Sequence, residues 1–175
     1  LTGKRLCRER LLARMRLAPS GTAPVFGIVS RLTAQKGFEL LPGVLPELLA
    51  QDVRLCVLGS GEERYEQYFH RLQATHPGKV SFWAGYDEDL AHWIEAGSDF
   101  FLMPSLYEPC GLNQMYSLRY GTVPIVRKTG GLADTVQAFE RATKRGTGFL
   151  FEEFSAPALQ EALRRALECY RDADD

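Results

Sequence analysis

The chain has 175 residues, of which 45% are hydrophobic and 25% are charged, and its formal net charge is −1. This composition is typical of a globular domain and excludes a disordered or fibrous protein. The charge gives no electrostatic reason to expect nucleic acid or an anionic membrane as a partner, and no apolar run approaches the roughly 18 residues of a membrane span. We therefore expect one domain over residues 1–175, with neither nucleic acid nor a membrane among its partners.

Helical and extended patterns alternate along the chain. In chain order the prediction is helix 4–17, strand 25–29, helix 37–49, strand 53–58, helix 62–72, strand 80–83, helix 88–95, strand 99–103, helix 112–120, strand 123–126, a loop and short helix within 130–139, strand 148–151 and helix 156–170. Strands of four to six mainly apolar residues that alternate with helices predict an α/β fold. We expect a single Rossmann-like, doubly wound parallel sheet of about six strands.

The four cysteines stand far apart and form no closely spaced pair. A zinc site needs clustered ligands, and a disulfide framework is typical of smaller secreted chains. The sequence therefore predicts reduced thiols and no metal centre. Cys56 lies in an apolar run and is predicted to be an ordinary core residue.

Polar and glycine-rich segments follow the carboxyl ends of five predicted strands, where ligands bind in open α/β sheets. These segments contain Arg31 and Lys36, Gly59–Gly61, Gly85 and Tyr86, Ser105 and Glu108–Gly111, and Lys128–Gly131. Two cations, an acid, an aromatic ring and three glycine turns would thus meet at one rim. This convergence favours a site for a phosphorylated, polyol-like ligand.

Arg31 and Lys36 combine a planar fork and a compact point charge, both of which suit phosphate oxygens. Alternatively, both are solvated loop charges. The carboxylate of Glu108 could accept hydrogen bonds from paired sugar hydroxyls, or it could complement the N-terminus of the next helix. Free amides at Gly111 and Leu112 favour the ligand-binding interpretation.

The remaining candidates each have a structural alternative. Gly59 is expected in a tight turn, with close ligand approach as a second role. Tyr86 could stack on a nucleobase or close the core. The amides that follow Thr129 and Gly130 could hold a phosphate at a helix start. The three histidines have no triad-like context and are interpreted as surface or satisfied side chains.

Four segments taken together resemble the bacterial glycogen synthase and plant starch synthase family, which are retaining glycosyltransferases of the GT-B type. The resemblance covers about residues 25–151 and rests on Arg31–Gly37, Glu108–Gln114, Arg119–Pro124 and Thr129–Val136. It implies the C-terminal, donor-binding half of that fold, with the N-terminal acceptor domain absent from this chain.

The resemblance implies ADP-glucose as the donor substrate, no further cofactor, and the non-reducing end of an α-1,4-glucan as the acceptor, bound through the N-terminal domain. Arg31 and Lys36 would hold the diphosphate and stabilise it as it leaves, and Glu108 would hold glucose hydroxyls. The other implied donor contacts are Tyr86 against the adenine, main-chain groups of Cys110, Gly111 and Leu112, and Asn113, Thr129 and Gly130 around the phosphates.

Two positions depart from the family's pattern. Tyr116 stands where the wider superfamily has a second glutamate, which favours the glycogen and starch synthase branch and removes a candidate acid. Asn113 stands where a small hydroxyl residue is expected. A bacterial cytoplasm or a plastid stroma is the implied location.

We expect the domain alone to be catalytically silent. Two alternatives remain open at this stage. They are a stand-alone nucleotide-sugar-binding module and a UDP- or GDP-sugar transferase with a small acceptor.

Overall fold

Alternating strands and helices make up the computed structural model, which describes residues 2–172. The elements are α1 Thr2–Arg14, β1 Val25–Val29, α2 Leu45–Ala50, β2 Arg54–Gly59, α3 Glu63–Thr75, β3 Val80–Ala84, α4 Glu88–Gly97, β4 Phe100–Met103, α5 Asn113–Arg119, β5 Val123–Arg127, α6 Gly130–Thr135, β6 Phe149–Phe151 and α7 Ala156–Asp172. Each predicted strand is present with small shifts at its ends.

The six strands form one parallel sheet in the order β3-β2-β1-β4-β5-β6, which confirms the predicted fold class. The chain builds outward from β1 in one direction and then returns to start again at β4 on its other side. The loops after β1 and β4 therefore diverge to opposite faces of the sheet. The crevice between them is the position where such sheets bind ligands.

Helices cover both faces of the sheet, and each face has its own apolar core. One core packs the sheet against α2, α3 and α7 and includes stacked Phe26 and Phe100, whose ring centroids lie 5.1 Å apart. The other packs α1 and α4 against the opposite face and includes Cys56, which is fully buried as predicted. Strands that are buried on both faces explain why their sequences read as continuous apolar runs.

The single helix predicted over residues 37–49 is wrong in its first half. Two short 3-10 helices, Ala34–Lys36 and Phe38–Gly43, precede α2 in the structure. Gly37, which separates them, has a φ of 78°, a left-handed conformation that interrupts helical hydrogen bonding. Pro42 lacks an N–H donor, and the second 3-10 helix ends one residue later. The apolar spacing alone did not reveal these breaks.

Among residues 2–172, none of the helices has both the length and the apolar character that crossing a bilayer requires.

Candidate functional site

An inner cleft of about 160 Å³ opens at the carboxyl ends of β1 and β4, at the crevice that the topology predicts. Its lining includes Arg31, Lys36, Glu108, Gly111, Leu112 and Asn113. Six of the residues predicted for the site are therefore brought together, although 82 positions separate Arg31 from Asn113 in the sequence. The parallel sheet accounts for this convergence, since it places these strand ends side by side.

Lys36 and Glu108 form an ion pair inside this cleft. Lys36 Nζ lies 2.5 Å from Glu108 Oε2, and the hydroxyl of the buried Ser105 lies 3.4 Å from the same oxygen. The two charged side chains are only 19% and 10% exposed. A pair screened from water in this way interacts more strongly than a surface pair. Of the two interpretations of Glu108, the helix-capping one is not needed to explain its position.

Lys36 is held in the cleft by a close backbone approach at the next residue. A Cβ atom added at Gly37 would lie 2.0 Å from the carbonyl oxygen of Pro104, at the end of β4. Only glycine allows the 34–37 turn to lie this close to β4. The main chain therefore brings Lys36 and Glu108, which come from different loops, within contact distance.

Arg31 lies on the rim rather than inside a contact network. Its side chain is exposed, and within residues 2–172 it makes no hydrogen bond or ion pair. An unpaired guanidinium beside the Lys36–Glu108 pair leaves a net positive charge at this end of the cleft. This charge is suited to an anionic ligand.

Two neighbouring side chains at the start of α5 fix the loop that carries Glu108. Asn113 Nδ2 donates to the carbonyl oxygen of Val29 at 3.1 Å, which ties α5 to the end of β1. Gln114 is fully buried, and its Nε2 donates to the carbonyl oxygens of Cys110 and Gly111 at 3.2 and 3.0 Å. Gln114 was not predicted for the site, because nothing in the local sequence signals that this amide is buried.

An outer cleft of about 340 Å³ continues from the inner one and shares Arg31 and Asn113 with it. Gly59 and Tyr86 line it, as predicted, together with Glu88, His92, Glu95 and Tyr116. Tyr86 is 83% exposed, so the alternative in which it closes the core is wrong. Gly59 is the last residue of β2 rather than part of a tight turn, and a Cβ there would lie 2.0 Å from the Ser30 carbonyl oxygen, so a close backbone approach to the end of β1 requires glycine.

Cys110, Thr129 and Gly130 do not line either cleft. Cys110 is exposed, and Gly130 has a φ of 44° and approaches the Glu108 carbonyl oxygen so closely that an added Cβ would lie 2.1 Å from it. The Gly131 N–H donates to that same carbonyl at 3.0 Å. The start of α6 therefore supports the Glu108 loop from behind. Phosphate contacts by Thr129 and Gly130 stay predictions.

Glu95, on α4, is an acid that the sequence did not suggest for the site. It is 2% exposed, and its Oε2 has no hydrogen-bond partner in the part of the chain that the structure describes. The ring of His92 lies nearby, with its Nδ1 3.7 Å from Oε2. Burial raises the pKa of the Glu95 carboxyl to about 7. Glu95 lies in a part of α4 that contacts later segments of the chain, including Thr122, and a local pattern cannot reveal such tertiary contacts.

The raised pKa of Glu95 predicts a pH-dependent stability. An unfolded glutamate ionises near its ordinary pKa of 4.5, whereas the folded one holds its proton up to about pH 7. The folded state thus binds more protons in this window, and its stability falls as the pH rises. Between pH 5 and pH 8 we expect the native chain to lose about 2 kcal/mol of unfolding free energy relative to Glu95→Gln.

Urea denaturation of both proteins at the two pH values measures this difference. Equal pH dependence of native protein and variant would contradict it. Glu88→Gln, which changes an exposed carboxyl on the same helix, is the matched control and should follow the native protein.

Comparison with known proteins gives a consistent result. The sequence model of the family described as "Glycosyl transferases group 1" matches residues 11–175. A glycogen synthase of Anaeromyxobacter dehalogenans is 55% identical over 98% of this chain, which covers 36% of that protein. A glycogen synthase of Geobacillus thermodenitrificans is 49% identical over 96% of this chain, which covers 35% of it. The chain thus spans about a third of the length of these curated relatives.

A solved structure agrees with these sequence matches. It is described as the catalytic domain of Starch Synthase IV from Arabidopsis thaliana bound to ADP and acarbose, and it superposes with a TM-score of 0.87 at 33% identity. The match covers 95% of this chain and 35% of that one. The family model spans nearly the whole chain, and the sheet order and strand-end cleft agree with the resemblance that the motifs indicated. The chain belongs to the family of group 1 glycosyl transferases.

Proposed function

We propose that this chain is the donor-binding half of an ADP-glucose:α-1,4-glucan glucosyltransferase of the glycogen synthase type. The enzyme would transfer glucose, with retention of anomeric configuration, to the non-reducing end of a glucan. The similarity to bacterial glycogen synthases supports this substrate pair and favours a bacterial cytoplasm over a plastid stroma. The glucan would be bound through residues outside this chain.

One observation carries the proposal, namely the ion pair of Lys36 and Glu108 in a cleft beside Arg31. A sugar joined to a phosphate offers hydroxyl donors on one side of the glycosidic bond and anionic oxygens on the other. Such a ligand satisfies both members of the pair at once, with the sugar at Glu108 and the phosphate at Lys36. A free sugar or a free phosphate would satisfy only one of them.

The same arrangement suits the chemistry of transfer. Negative charge grows on the departing diphosphate while the glucosyl carbon becomes oxocarbenium-like. The positive groups of Arg31 and Lys36 are in place before the reaction and stabilise the negative charge on the diphosphate. The carboxylate of Glu108 stabilises the positive charge at the glucosyl carbon. A phosphate oxygen of the departing diphosphate accepts the proton of the attacking acceptor hydroxyl. The main-chain amides of Gly111 and Leu112 complete the polar lining around the sugar.

The nucleoside would occupy the outer cleft. From a diphosphate at Arg31 it would extend along the wall that both clefts share and place its base against the exposed ring of Tyr86. The similar Starch Synthase IV structure is described as bound to ADP, which favours adenine over uracil or guanine. A UDP- or GDP-sugar transferase and a stand-alone binding module are the competing assignments.

A joined protein separates these assignments. In it, this chain replaces the corresponding part of the Geobacillus thermodenitrificans glycogen synthase, and glucose transfer from ADP-glucose and UDP-glucose to glycogen is measured. We expect transfer from ADP-glucose, a loss of at least about 100-fold with Glu108→Ala, and no transfer by the chain alone. A preference for UDP-glucose would contradict the assignment of ADP-glucose as the donor. A folded but inactive joined protein whose chain still binds ADP-glucose would favour the binding module.

A further inference from the structure

The outer cleft contains a buried acid whose position calls for a hydrogen-bond donor. Tyr86 and Glu88 on its lining are exposed, whereas Glu95 on the same lining is 2% exposed. We therefore place Tyr86 at the mouth of this cleft and Glu95 at its floor. The cleft is about 340 Å³, which is of the size that small-molecule sites occupy.

The main chain around Glu95 is well satisfied, but its carboxyl is not. Its carbonyl oxygen accepts a hydrogen bond from the hydroxyl of the buried Thr122, which holds the end of α4 in place. Its Oε2 has no hydrogen-bond partner among residues 2–172, and His92 at 3.7 Å is beyond hydrogen-bond distance. Burying a carboxyl without a partner costs free energy. A group of this kind in a cleft is a candidate for contact with a ligand.

The two clefts together indicate which ligand donor could reach this carboxyl. In the proposed function a diphosphate at Arg31 and Lys36 occupies the inner cleft. Both clefts share the wall of Val29, Ser30 and Arg31, so the nucleoside that follows enters the outer cleft, which Glu95 and Tyr86 line. The nucleoside that follows the diphosphate carries hydrogen-bond donors in its ribose hydroxyls and its exocyclic amine. A carboxyl oxygen accepts a hydrogen bond from either group, and the bond is stronger when the carboxyl is ionised.

We propose that Glu95 is a specificity-determining residue that accepts a hydrogen bond from the nucleoside of the bound nucleotide, either from a ribose hydroxyl or from the amino group of the base. The inference rests on the proposed function, since it requires a nucleotide in the outer cleft. Tyr116 of α5, the position at which the sequence lacks an acid, lines this same cleft. Glu95 supplies an acid there from the neighbouring helix α4.

Calorimetric titration of the chain with four nucleotides tests the proposal. They are ADP, 2′-deoxy-ADP, 3′-deoxy-ADP and the diphosphate of purine riboside, which lacks the amino group. With the native chain, loss of the group that Glu95 contacts should weaken binding by at least about tenfold. With Glu95→Leu the same loss should weaken binding by less than about twofold, because the acceptor is gone. The analogue that shows this coupling identifies ribose or base as the donor.

Glu88→Gln is the matched control, because it alters the other carboxyl of the cleft. In this variant the analogue that lacks the contacted group should still bind at least about tenfold more weakly than ADP; this loss of affinity is called the penalty below. Glu95→Gln, which preserves shape, serves as a second variant if Glu95→Leu does not fold, and we expect it to reduce the penalty by about threefold. Equal penalties in the native chain and both Glu95 variants, or a penalty that disappears with Glu88→Gln instead, would overturn the proposal. A native chain that binds no ADP would overturn the proposed function as well.

Discussion

Replacing Lys36 with methionine is expected to weaken ADP binding by about 30-fold, equivalent to ~2 kcal/mol. Methionine keeps an unbranched, apolar side chain of similar length but removes the charge that faces the cleft. The effect is large because the ammonium group is only 19% exposed and its attraction to a phosphate is weakly screened. Calorimetric titration with ADP measures the change directly.

The same substitution should lower the unfolding free energy by about 2 kcal/mol, since it leaves the Glu108 carboxylate without its cation in a largely buried position. Lys128→Met is the matched control. Lys128 also pairs with a glutamate, Glu152, at 2.7 Å, but both side chains are more than half exposed and neither lines a cleft. Surface pairs of this kind contribute little, so ADP affinity and stability should both stay near native values. Equal losses in the two variants would contradict the ligand role of Lys36.

Replacing Gly37 with alanine should lower the unfolding free energy by about 4 kcal/mol. Two costs combine at this position. The φ of 78° is unfavourable for any residue with a Cβ, and the new methyl group would lie 2.0 Å from the carbonyl oxygen of Pro104. The backbone must shift, and this moves Lys36 away from Glu108. Urea denaturation measures the loss of stability, and titration with ADP measures the loss of the site.

Gly121→Ala separates the two costs. Gly121 has a φ of 73°, close to that of Gly37, but a Cβ there would meet nothing within 4 Å. It should lose only the conformational cost of about 1–2 kcal/mol and should bind ADP like the native chain. If both variants lose the same stability, the close approach to Pro104 contributes nothing, and our account of how Lys36 is positioned is wrong.

Much of the fold could be predicted from the sequence because local pattern and burial agree there. The strand at Val25–Val29 is apolar, short and covered on both faces, and its predicted bounds match the structure. The segment after it is different. Gly37 ends one 3-10 helix and Pro42 lies in another, and the apolar spacing of the surrounding leucines is compatible with a continuous helix. The break at Gly37 depends on a close contact with Pro104 at the end of β4, which is far away in the sequence.

The residues of the candidate site also fall into two groups, those that local sequence position reveals and those that depend on tertiary contacts. Arg31, Lys36 and Glu108 could be predicted because residues that follow strand ends in a parallel sheet must share one edge. Glu95 could not, because its role depends on tertiary burial and on an oxygen without a hydrogen-bond partner rather than on residue type. Thr129 and Gly130 were placed by the same strand-end argument, yet they lie behind the loop that carries Glu108, and Cys110 of that loop is exposed and lines neither cleft. Position after a strand fixes the edge of the sheet but not the direction that a residue faces.

The buried amide of Gln114 holds the loop that carries Glu108 in place before a ligand binds. Its two N–H bonds serve three acceptors, the carbonyl oxygens of Cys110 and Gly111 and the hydroxyl of Thr135 on α6. One side chain therefore fastens two successive crossovers of the sheet together from inside. The entropy of arranging these crossovers is lost during folding rather than at binding, so more of the contact energy with an incoming molecule is retained as affinity.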